Sequence, residues 1–465
     1  MQEENKMGLL PIKKLVWTMG LPMIVSMLLQ AIYNVVDTAF VINMGEGGYE
    51  ANIALGYSFP VQILMIAVGV GLGIGVNALI SKNLGEGNKK AASKAAWNGV
   101  TIALIFYVIF LLFGLFGVEP FIRMQATPAI SDVVRRETVI AMGSDYLRIC
   151  CVFSFGQMLF AIFERFLQST GRTSLSMVGQ IAGALTNILL DYVFIYPLNM
   201  GVAGAAYATV IGQFVSFVLD AVFHYVFDKE LENKPQNLLL SKDIVKGIFV
   251  IGIPATIMQA LLSIMMLGSN MVLGTSGENA ELLQGSFAIY YKIQQMALFA
   301  CFGMSNALIS LTSYNFGKGS KERVNQIIRY GIIDSLIVSV CIIVFFEIFA
   351  ELISKLFGLA GGASTEEVTN VCAIAIRIAS IGFVFMAFSV SVQGILQGIR
   401  SVISPVIISL LRLLVFVIPL ELLFLHLGNQ TTLLWIAFPV TEILTSVVSF
   451  FFLKKAKEKK IDTLS

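Results

Sequence analysis

Two short stretches decide the fold, "NLGEGNKK" at residues 83–90 and "NFGKGSKE" at residues 315–322. They match at a separation of 232 in the numbering, and the same separation pairs "GLP" at 20–22 with "GIP" at 252–254. Similarity at a constant spacing is the mark of a structural unit that occurs more than once in a chain. The sequence therefore predicts two similar halves in tandem.

A second spacing extends the repeat. "YLRI" from Tyr146 and "AIRI" from Ala375 match at a spacing of 229, as do Gln168 and Gln397. Between the halves lies the polar stretch "DKELENKPQNLLLSKD", which has mixed charge and one proline. We expect an N-terminal six-helix lobe over residues 1–227, a cytoplasmic linker over 228–243 and a C-terminal six-helix lobe over 244–465.

The composition places the chain in a membrane. Of its 465 residues, 57% are hydrophobic and 13% are charged, and the mean hydropathy is +0.83, far above that of a water-soluble domain. The apolar runs are continuous and long enough for the roughly 20 residues that a membrane helix needs, whereas a barrel would show alternating segments of roughly ten. We predict about twelve spans, over residues 14–43, 52–84, 91–118, 138–167, 174–196, 202–226, 244–274, 283–316, 324–357, 368–396, 402–427 and 432–453.

Charged residues predict the orientation of these spans. Lysine and arginine gather at both termini and in the loops that follow even-numbered spans. By the positive-inside rule, both termini of this multi-pass protein are predicted to be cytoplasmic. We expect the protein to lie in the cell membrane. The net charge of +2 is too small to indicate a nucleic-acid partner.

The repeat predicts how the two halves are related. Six is an even number, so the second half enters the membrane in the same orientation as the first, and the two all-α lobes are related by a pseudo-two-fold axis along the membrane normal. Two lobes that face each other across a cleft are typical of an alternating-access transporter, with ligand sites near mid-membrane. We expect a small-molecule substrate, the lipid bilayer as surroundings, a functional monomer and no cofactor besides a coupling ion.

Polar residues recur inside the predicted spans of the first half. In the first span Gln30, Asn34 and Asp37 stand at i, i+4 and i+7, on one helix face with Tyr33 beside them. Polar stripes must face the interior of a helix bundle, so we expect a wet pocket in this half. Its other walls come from polar residues of the fifth and sixth spans, Gln180, Asn187, Asp191, Thr209, Gln213 and Ser216.

The two acids give this pocket its chemistry. An acid at a helix centre costs roughly 2.5 to 3.5 kcal/mol on insertion scales and needs a reason to be there. We therefore predict that Asp37 and Asp191 bind the coupling ion. A set of carboxylate, amide and hydroxyl oxygens accepts a proton and also suits Na⁺, so the residue types leave the ion open. The alternative for the amides is that they join helices to each other.

The second half does not repeat the acid pair. At a spacing of 232 Asp37 falls on Ser269, and at 229 Asp191 falls on Leu420, while a shift of one residue would pair Asp191 with Glu421. The acid pocket is therefore predicted to be specific to the first half.

The second half has a different predicted lining and a matching proline. Gln259, Tyr290 and Gln294, together with several methionines, predict a soft amphipathic wall that adapts to varied ligands. Pro22 and Pro254 are predicted hinges, because proline removes a backbone donor and crowds the preceding helical turn.

Four stretches resemble the multidrug and toxic compound extrusion (MATE) family. They are "GLPMIVSMLLQAIYNVVDTAFV", "NALISKNLGEGNKKAA", "FLQSTGRT" and "TNILLDYVFIYPLNMGVAGAAYATVIGQ". The resemblance implies a twelve-helix, two-lobed, V-shaped exporter that exchanges cytoplasmic organic compounds for H⁺ or Na⁺.

The sequence is most similar to the bacterial and archaeal DinF-like branch of that family. The branch has a cation site built from an acid on the first helix, an Asn and an Asp on the fifth and a Thr on the sixth. These match Asp37, Asn187, Asp191 and Thr209, and Gln30 and Pro22 are also in place. The NorM-like branch has further acids in the seventh and tenth helices, and this sequence has neither.

Two other functions compete with this interpretation. A flippase for lipid-linked saccharides would need a strongly cationic cavity to hold a pyrophosphate, whereas the predicted pocket is acidic and favours cationic, amphipathic cargo. An intramembrane serine protease is suggested by "GTSG" at residues 274–277, but this motif falls in a predicted outer loop and is weak by itself. The sequence has no G-x-x-x-x-G-K-[ST] motif, so ATP is not expected to be the direct energy source.

Overall fold

The computed structural model describes residues 5–42, 48–130, 132–360, 365–427 and 430–464, and the part of the chain that it describes is almost entirely helical. The first half contains nine helices in this described part. They are α1 (Lys6–Leu9), α2 (Ile12–Ile42), α3 (Gly48–Gly85), α4 (Lys89–Phe116), α5 (Val118–Ala129), α6 (Val133–Val152), α7 (Phe155–Ser169), α8 (Thr173–Ile195) and α9 (Gly201–Phe227).

The second half has a similar order of helices. Its α-helices are α10 (Lys242–Leu273), α11 (Ala280–Gly317), α12 (Lys321–Ala360), α13 (Glu366–Ser380), α14 (Phe383–Gly398), α15 (Ile403–Leu410), α16 (Val417–His426), α17 (Gln430–Leu433) and α18 (Ala437–Ala456). A π-helical segment, Leu411–Phe416, joins α15 to α16 without a break.

Membrane spans account for most of these helices. In the described residues, ten helices are long and apolar enough to cross a membrane, and two bent pairs, α6 with α7 and α13 with α14, raise the number to as many as twelve. This confirms the predicted all-α membrane fold. The short helix α5 lay outside the prediction, which ended the third span at residue 118.

The two bent spans occupy equivalent places in the two halves. α6 and α7 meet at 45° around Phe153 and Ser154, and α13 and α14 meet at 57° around Ile381 and Gly382. At the first bend, Ser154 Oγ donates to the Cys151 carbonyl at 2.8 Å and so satisfies a backbone acceptor that the break leaves without its usual partner. The sequence predicts one continuous span at each of these places, because the apolar run continues through the bend.

Hydrogen bonds inside the lobes follow the repeat spacings. Ser81 Oγ donates to the Ser169 carbonyl at 3.5 Å, and Ser313 Oγ donates to the Gly398 carbonyl at 3.0 Å. The two donors are related by the spacing of 232 and the two acceptors by the spacing of 229, as the sequence repeat predicts. Two pseudo-symmetric helical lobes are therefore the basis of the fold.

The lobes pack against each other through α2 with α11 and α3 with α10. Arg323 reaches across this boundary, and its Nη2 donates to the carbonyls of Met7 and Leu10 at 2.9 and 3.0 Å. Ser310 Oγ lies 3.0 Å from Asn77 Oδ1 in the same contact region. These contacts join the lobes toward the side that is predicted to be cytoplasmic.

The polar segment between the halves lies along the N-terminal half. Trp97 Nε1 donates to the Glu232 carbonyl at 3.1 Å, and Asn98 Nδ2 donates to the carbonyls of Asn237 and Leu239. This stretch is therefore held against α4. The predicted bounds of the linker and of the two lobes stay a prediction.

Candidate cation-coupling site

The polar stripe of α8 is the buried face of that helix, and the stripe of α9 is buried at Ser216 and half-buried at Thr209 and Gln213. On α8, Gln180, Asn187 and Asp191 are buried, whereas Leu185 and Leu189 are 55% and 67% exposed. Helices with this inverted pattern are stable where the apolar face meets lipid and the polar face meets other helices.

Asp37 of α2 and Asp191 of α8 lie beside each other in the interior that these stripes form. Asp37 is half-buried and Asp191 is completely buried, and the two carboxyl groups are close enough for their charges to interact. Both oxygens of Asp191 and Oδ1 of Asp37 are shielded from solvent and lack a hydrogen-bond partner among the described residues. Buried oxygens without partners are costly, so this pair favours a bound positive charge.

Neutral oxygens complete the surroundings of the acid pair. Asn187 lies one helical turn before Asp191 on α8, and its Nδ2 donates to Thr209 Oγ1 of α9 at 3.5 Å. That bond turns Asn187 Oδ1 away from Thr209, and Oδ1 is buried without a hydrogen-bond partner among the described residues. Carboxylate, amide and hydroxyl oxygens of α2, α8 and α9 are thus brought together.

Two tyrosines lie within electrostatic range of the pair. Tyr33 of α2 and Tyr146 of α6 both interact electrostatically with Asp37 and Asp191. Gln62 of α3 donates to the Tyr146 hydroxyl at 2.8 Å. Four helices of the lobe besides α9 therefore contribute polar groups around the acids, which is a larger set than the sequence stripes predicted.

A cavity of about 810 Å³ lies in the N-terminal lobe next to this site. Tyr33, Asn187 and Thr209 line it, while Asp37 and Asp191 each lie about one helical turn further along α2 and α8. Gln180 Nε2 donates to Gln30 Oε1 at 2.9 Å on the wall of the same cavity. The predicted residue Gln213 also lines it.

A second cavity, of about 850 Å³, lies between the lobes. Gln30 and Arg165 line both this central cavity and the cavity of the N-terminal lobe. The wall from the other lobe includes the predicted residue Gln259 together with Met258 and Phe302. Side chains of both lobes therefore enclose one amphipathic space.

The C-terminal lobe contains a smaller cavity of about 400 Å³, and the predicted residue Gln294 lines it. Arg412 and Glu442 form a buried ion pair on its wall, with Arg412 Nη2 2.7 Å from Glu442 Oε1. Arg412 Nε donates to both oxygens of Glu442 at 2.8 and 3.0 Å. The charge of Arg412 is thus satisfied within its own lobe.

Four predicted residues lie elsewhere. Tyr290 lines none of these three cavities and is completely buried, with its ring 5.4 Å from Trp435 and 5.1 Å from Phe438. Asn34 is exposed on α2 and lines none of the three cavities either. α2 and α10 continue through Pro22 and Pro254, and their role as hinges stays a prediction.

Three charged residues of the N-terminal lobe were missed. Glu164 and Arg165 of α7 are buried on the cavity wall, with Arg165 Nη2 3.6 Å from Glu164 Oε2. Asp220 of α9 is completely buried, and neither of its oxygens has a hydrogen-bond partner among the described residues. The adjacent acid and base in "FERF" are visible in the sequence, but they lie near a predicted cytoplasmic helix end, where charged residues are less informative.

Two pseudo-symmetric bundles of membrane helices, with a carboxyl pair in one lobe and a cavity between the lobes, define a membrane transporter and not an enzyme. The MatE family model matches residues 22–193 and 254–423, once in each half. The chain belongs to this family, the multidrug and toxic compound extrusion transporters.

Two relatives match most of the chain. The probable multidrug resistance protein NorM of Thermotoga maritima is 25% identical, over 97% of this chain and 94% of its own length. The multidrug export protein MepA of Staphylococcus aureus is 27% identical, over 85% of this chain and 87% of its own length. The relatives carry NorM and MepA names, and the resemblance to the DinF-like branch stays a prediction.

Solved structures share the fold over the full length. A multidrug resistance MATE family transporter in an outward-facing conformation superposes with a TM-score of 0.91 at 23% identity, with 100% of both chains covered. A transporter of Pyrococcus furiosus, described as having a binding pocket of reverse polarity, superposes with a TM-score of 0.88 at 24% identity, over 100% of this chain and 99% of that chain.

Proposed function

We propose that this protein is a secondary active antiporter, which exports amphipathic organic compounds from the cytoplasm in exchange for H⁺ or Na⁺. Membership of the MatE family supports the transporter class. The names of the relatives, which describe multidrug resistance and multidrug export, support varied organic cargo. The protein is proposed to work as a monomer in the cell membrane with both termini in the cytoplasm.

The observation that carries the proposal is the carboxyl pair. Asp37, Asp191 and Asn187 present four buried oxygens that have no hydrogen-bond partner among the described residues. A set of oxygens that lacks donors is destabilising while the pair is ionised and becomes favourable when a cation or a proton binds. Such a site changes its energy with occupancy, and a coupling site requires that property.

The path from ion to cargo runs along α2. Asp37 is about two helical turns from Gln30, which lines both the N-terminal cavity and the central cavity. Gln30 is also bonded to Gln180 on α8, the helix that carries Asp191. Ion binding between Asp37 and Asp191 brings α2 and α8 together; both helices line the N-terminal cavity, and α2 also lines the central cavity.

The cargo is proposed to be cationic as well as amphipathic. Glu164, Asp191 and Asp220 are buried acids of the N-terminal lobe, whereas Arg165 is the one arginine or lysine in the same burial class in the described part of that lobe. The central cavity adds methionine and aromatic side chains, which adapt to ligands of different shape and attract organic cations. They are Met27, Met258, Phe299 and Phe302.

A flippase for anionic lipid-linked cargo is the second candidate, because Arg165 and Arg412 both line the central cavity. The two arginines already have carboxylate partners, Glu164 and Glu442. A pyrophosphate would have to compete with these partners, so the antiporter is favoured.

Reconstitution in liposomes tests the proposal. Purified protein is given an imposed pH gradient or an imposed Na⁺ gradient, and the movement of a cationic dye is compared with that of a fluorescent pyrophosphate-linked lipid. We expect dye movement driven by one of the two gradients. Lipid translocation without dye movement would replace the antiporter by the flippase, and dye movement that neither gradient affects would refute coupling.

A further inference from the structure

The C-terminal lobe contains an acid that the proposed mechanism does not use. Glu421 of α16 is 1% exposed, and neither of its oxygens has a hydrogen-bond partner among the described residues. Arg412, a buried base of the same lobe, is engaged by Glu442 through three contacts of 3.0 Å or less. Glu421 is therefore a buried carboxyl group that, unlike Glu442, has no arginine partner in the described part of the chain.

The π-helical segment explains why Glu421 occupies this place. Arg400 has a positive φ of 56°, and Gly171, its equivalent at the spacing of 229, has a φ of 82°, so the spacing still holds where α8 and α15 begin. The segment Leu411–Phe416 then interrupts the second helix, whereas α8 runs on as an α-helix. A π-bulge inserts one residue relative to an α-helix, and one inserted residue moves the partner of Asp191 from Leu420 to Glu421.

Glu421 also faces the equivalent of Asp37. Ser269 of α10 lies beside the Glu421 carboxyl group, and it is the partner of Asp37 at the spacing of 232. Ser269 is completely buried, and its hydroxyl lies 3.6 Å from the sulfur of Met265. The acid and hydroxyl of α16 and α10 thus repeat the arrangement of the two acids on α8 and α2.

Several elements of the C-terminal lobe contribute polar or ionisable groups around Glu421. Tyr290 of α11 is within electrostatic range, and its hydroxyl is buried without a hydrogen-bond partner among the described residues. Tyr290 also senses Arg412 of the π-helical segment, Glu442 of α18 and Cys372 of α13. On α16 itself, His426 is exposed at the end of the helix. The other packed elements, α10, α17 and residues 434–436, add Ser269 but no ionisable side chain near Glu421 in the described part of the chain.

We propose that Glu421 is a second proton-binding site, located in the C-terminal lobe at the position equivalent to Asp191. One carboxyl group and one neighbouring hydroxyl hold a proton but fall short of the several oxygen ligands that a metal cation takes. The general cost of a buried unpaired charge favours the protonated carboxyl group. Proton binding at Glu421 is independent of the carboxyl pair, whereas its contribution to transport rests on the proposed antiport.

Chemical labelling of the wild-type protein tests proton binding directly. A membrane-permeant carbodiimide reacts with protonated carboxyl groups, and peptide mapping by mass spectrometry reports the modified residue. We expect modification at Glu421 that falls about tenfold per pH unit above its midpoint and is insensitive to Na⁺. Modification of the Asp37 and Asp191 peptides without modification of Glu421 at any pH, or protection of Glu421 by Na⁺, would overturn the proposal.

Variants test whether the proton bound at Glu421 is one of those exchanged for cargo during transport. Glu421→Gln keeps the shape of the side chain and removes the titration, and Glu351→Gln is the matched control because Glu351 is an exposed acid of the same lobe, 66% exposed in its pair with Arg377. In liposomes with a pH gradient, we expect E421Q to move one proton equivalent less per dye molecule and E351Q to match the wild type. An unchanged ratio in E421Q would remove Glu421 from the coupling.

The two proposals fail in different ways. If the proposed function is wrong, wild-type protein shows no gradient-driven dye movement, while carbodiimide still modifies Glu421. If the second site is wrong, wild-type transport is coupled, while Glu421 is not modified. Should E421Q not remain monodisperse in detergent, the labelling of the wild-type protein decides the question.

Discussion

Gly85 of the N-terminal lobe packs against the C-terminal lobe, and Gly317 of the C-terminal lobe packs against the N-terminal lobe in the equivalent way. A Cβ on Gly85 would collide with the carbonyl oxygen of Tyr314, and a Cβ on Gly317 would collide with the carbonyl oxygen of Lys82. The two glycines are related by the repeat spacing of 232, and so are the two carbonyls. The contact between the lobes is therefore itself pseudo-two-fold symmetric and depends on backbones that approach too closely for any larger residue.

Substituting these glycines should open the contact. Gly85→Ala and Gly317→Ala each force a backbone to move, which costs about 1 to 3 kcal/mol for an overpacked site. This cost lowers the population in which the two lobes touch at this contact roughly 5- to 150-fold. Electron–electron distance measurements between spin labels at Lys90 and Glu322, in a cysteine-free background, should show a longer distance in the variants. Gly56→Ala is the control on α3, since an added Cβ there meets nothing within 4 Å. Equal distances in G85A and G56A would contradict the prediction.

Removing either acid of the N-terminal lobe should abolish coupled transport. Asp37→Asn and Asp191→Asn keep the side-chain volume but leave the site without a group that binds a proton or attracts a cation. We expect loss of gradient-driven dye efflux in liposomes, with an unchanged elution profile in size-exclusion chromatography. Glu351→Gln should transport normally because its carboxyl group is exposed. Dye efflux at the wild-type rate by a well-folded double variant would refute the role of the pair.

Substitutions of Thr209 should distinguish the two candidate ions. A metal cation needs neutral oxygen ligands as well as carboxylates, whereas a proton needs only the carboxyl group. If the ion is Na⁺, Thr209→Val should raise the Na⁺ concentration for half-maximal transport about tenfold or more, as the loss of a ligand or its support does at metal sites, and Thr209→Ser should keep the wild-type value. If the ion is H⁺, T209V and T209S should behave alike in a pH titration of transport. Loss of transport in both variants would show that Thr209 acts through packing.

The N-terminal segment should loosen as the pH rises. Glu230, in the stretch between the lobes, is bonded to Asn5 and lies 3.5 Å from Arg172, and its burial raises its pKa above the usual value. A raised carboxyl pKa means that the packed state binds the proton more tightly than the unpacked state. The contribution of Glu230 to the stability of the packed N-terminal segment is therefore fully present below the usual glutamate pKa of about 4.3. It is lost as the pH rises through the raised pKa of Glu230.

Hydrogen exchange of residues 5–10, corrected for intrinsic rates, measures this effect. We expect faster exchange at higher pH in the wild type and a flat profile in Glu230→Gln. Glu232→Gln is the control, because the exposed Glu232 carboxylate is paired with Lys234, which lowers its pKa. A pH-dependent profile that persists in E230Q would assign the titration to another group.

Much of this architecture can be predicted from patterns in the sequence. The polar stripe Gln30, Asn34, Asp37 has helical spacing, and the corresponding stripe of α8 is buried in the fold. The repeat spacings of 232 and 229 recur as equivalent hydrogen bonds at Ser81 and Ser313. Periodicity can be read without a structure because helix geometry sets the spacing of residues on one face, and the repeat can be read because the chain need only be compared with itself.

Other features depend on how helices are placed against each other. The bends near Phe153 and Ile381 lie inside continuous apolar runs and leave no mark in hydropathy. Glu164 and Arg165 lie near the end of a predicted span, yet they are buried on the wall of a cavity. Burial of a charged residue is decided by partners that come from other helices, so the local sequence does not reveal it.

The sequence by itself determined the membrane environment, the two tandem halves and the face of each helix that carries polar groups, because hydropathy and helical periodicity are properties of neighbouring residues. Only the tertiary structure decided that Asp37 and Asp191 meet, and that a π-helical turn places Glu421, not Leu420, opposite Ser269. Packing between helices and one inserted residue set those meetings. Packing acts between helices far apart in the chain, and the inserted residue changes the register of one helix without interrupting its apolar run, so neither effect is visible in hydropathy.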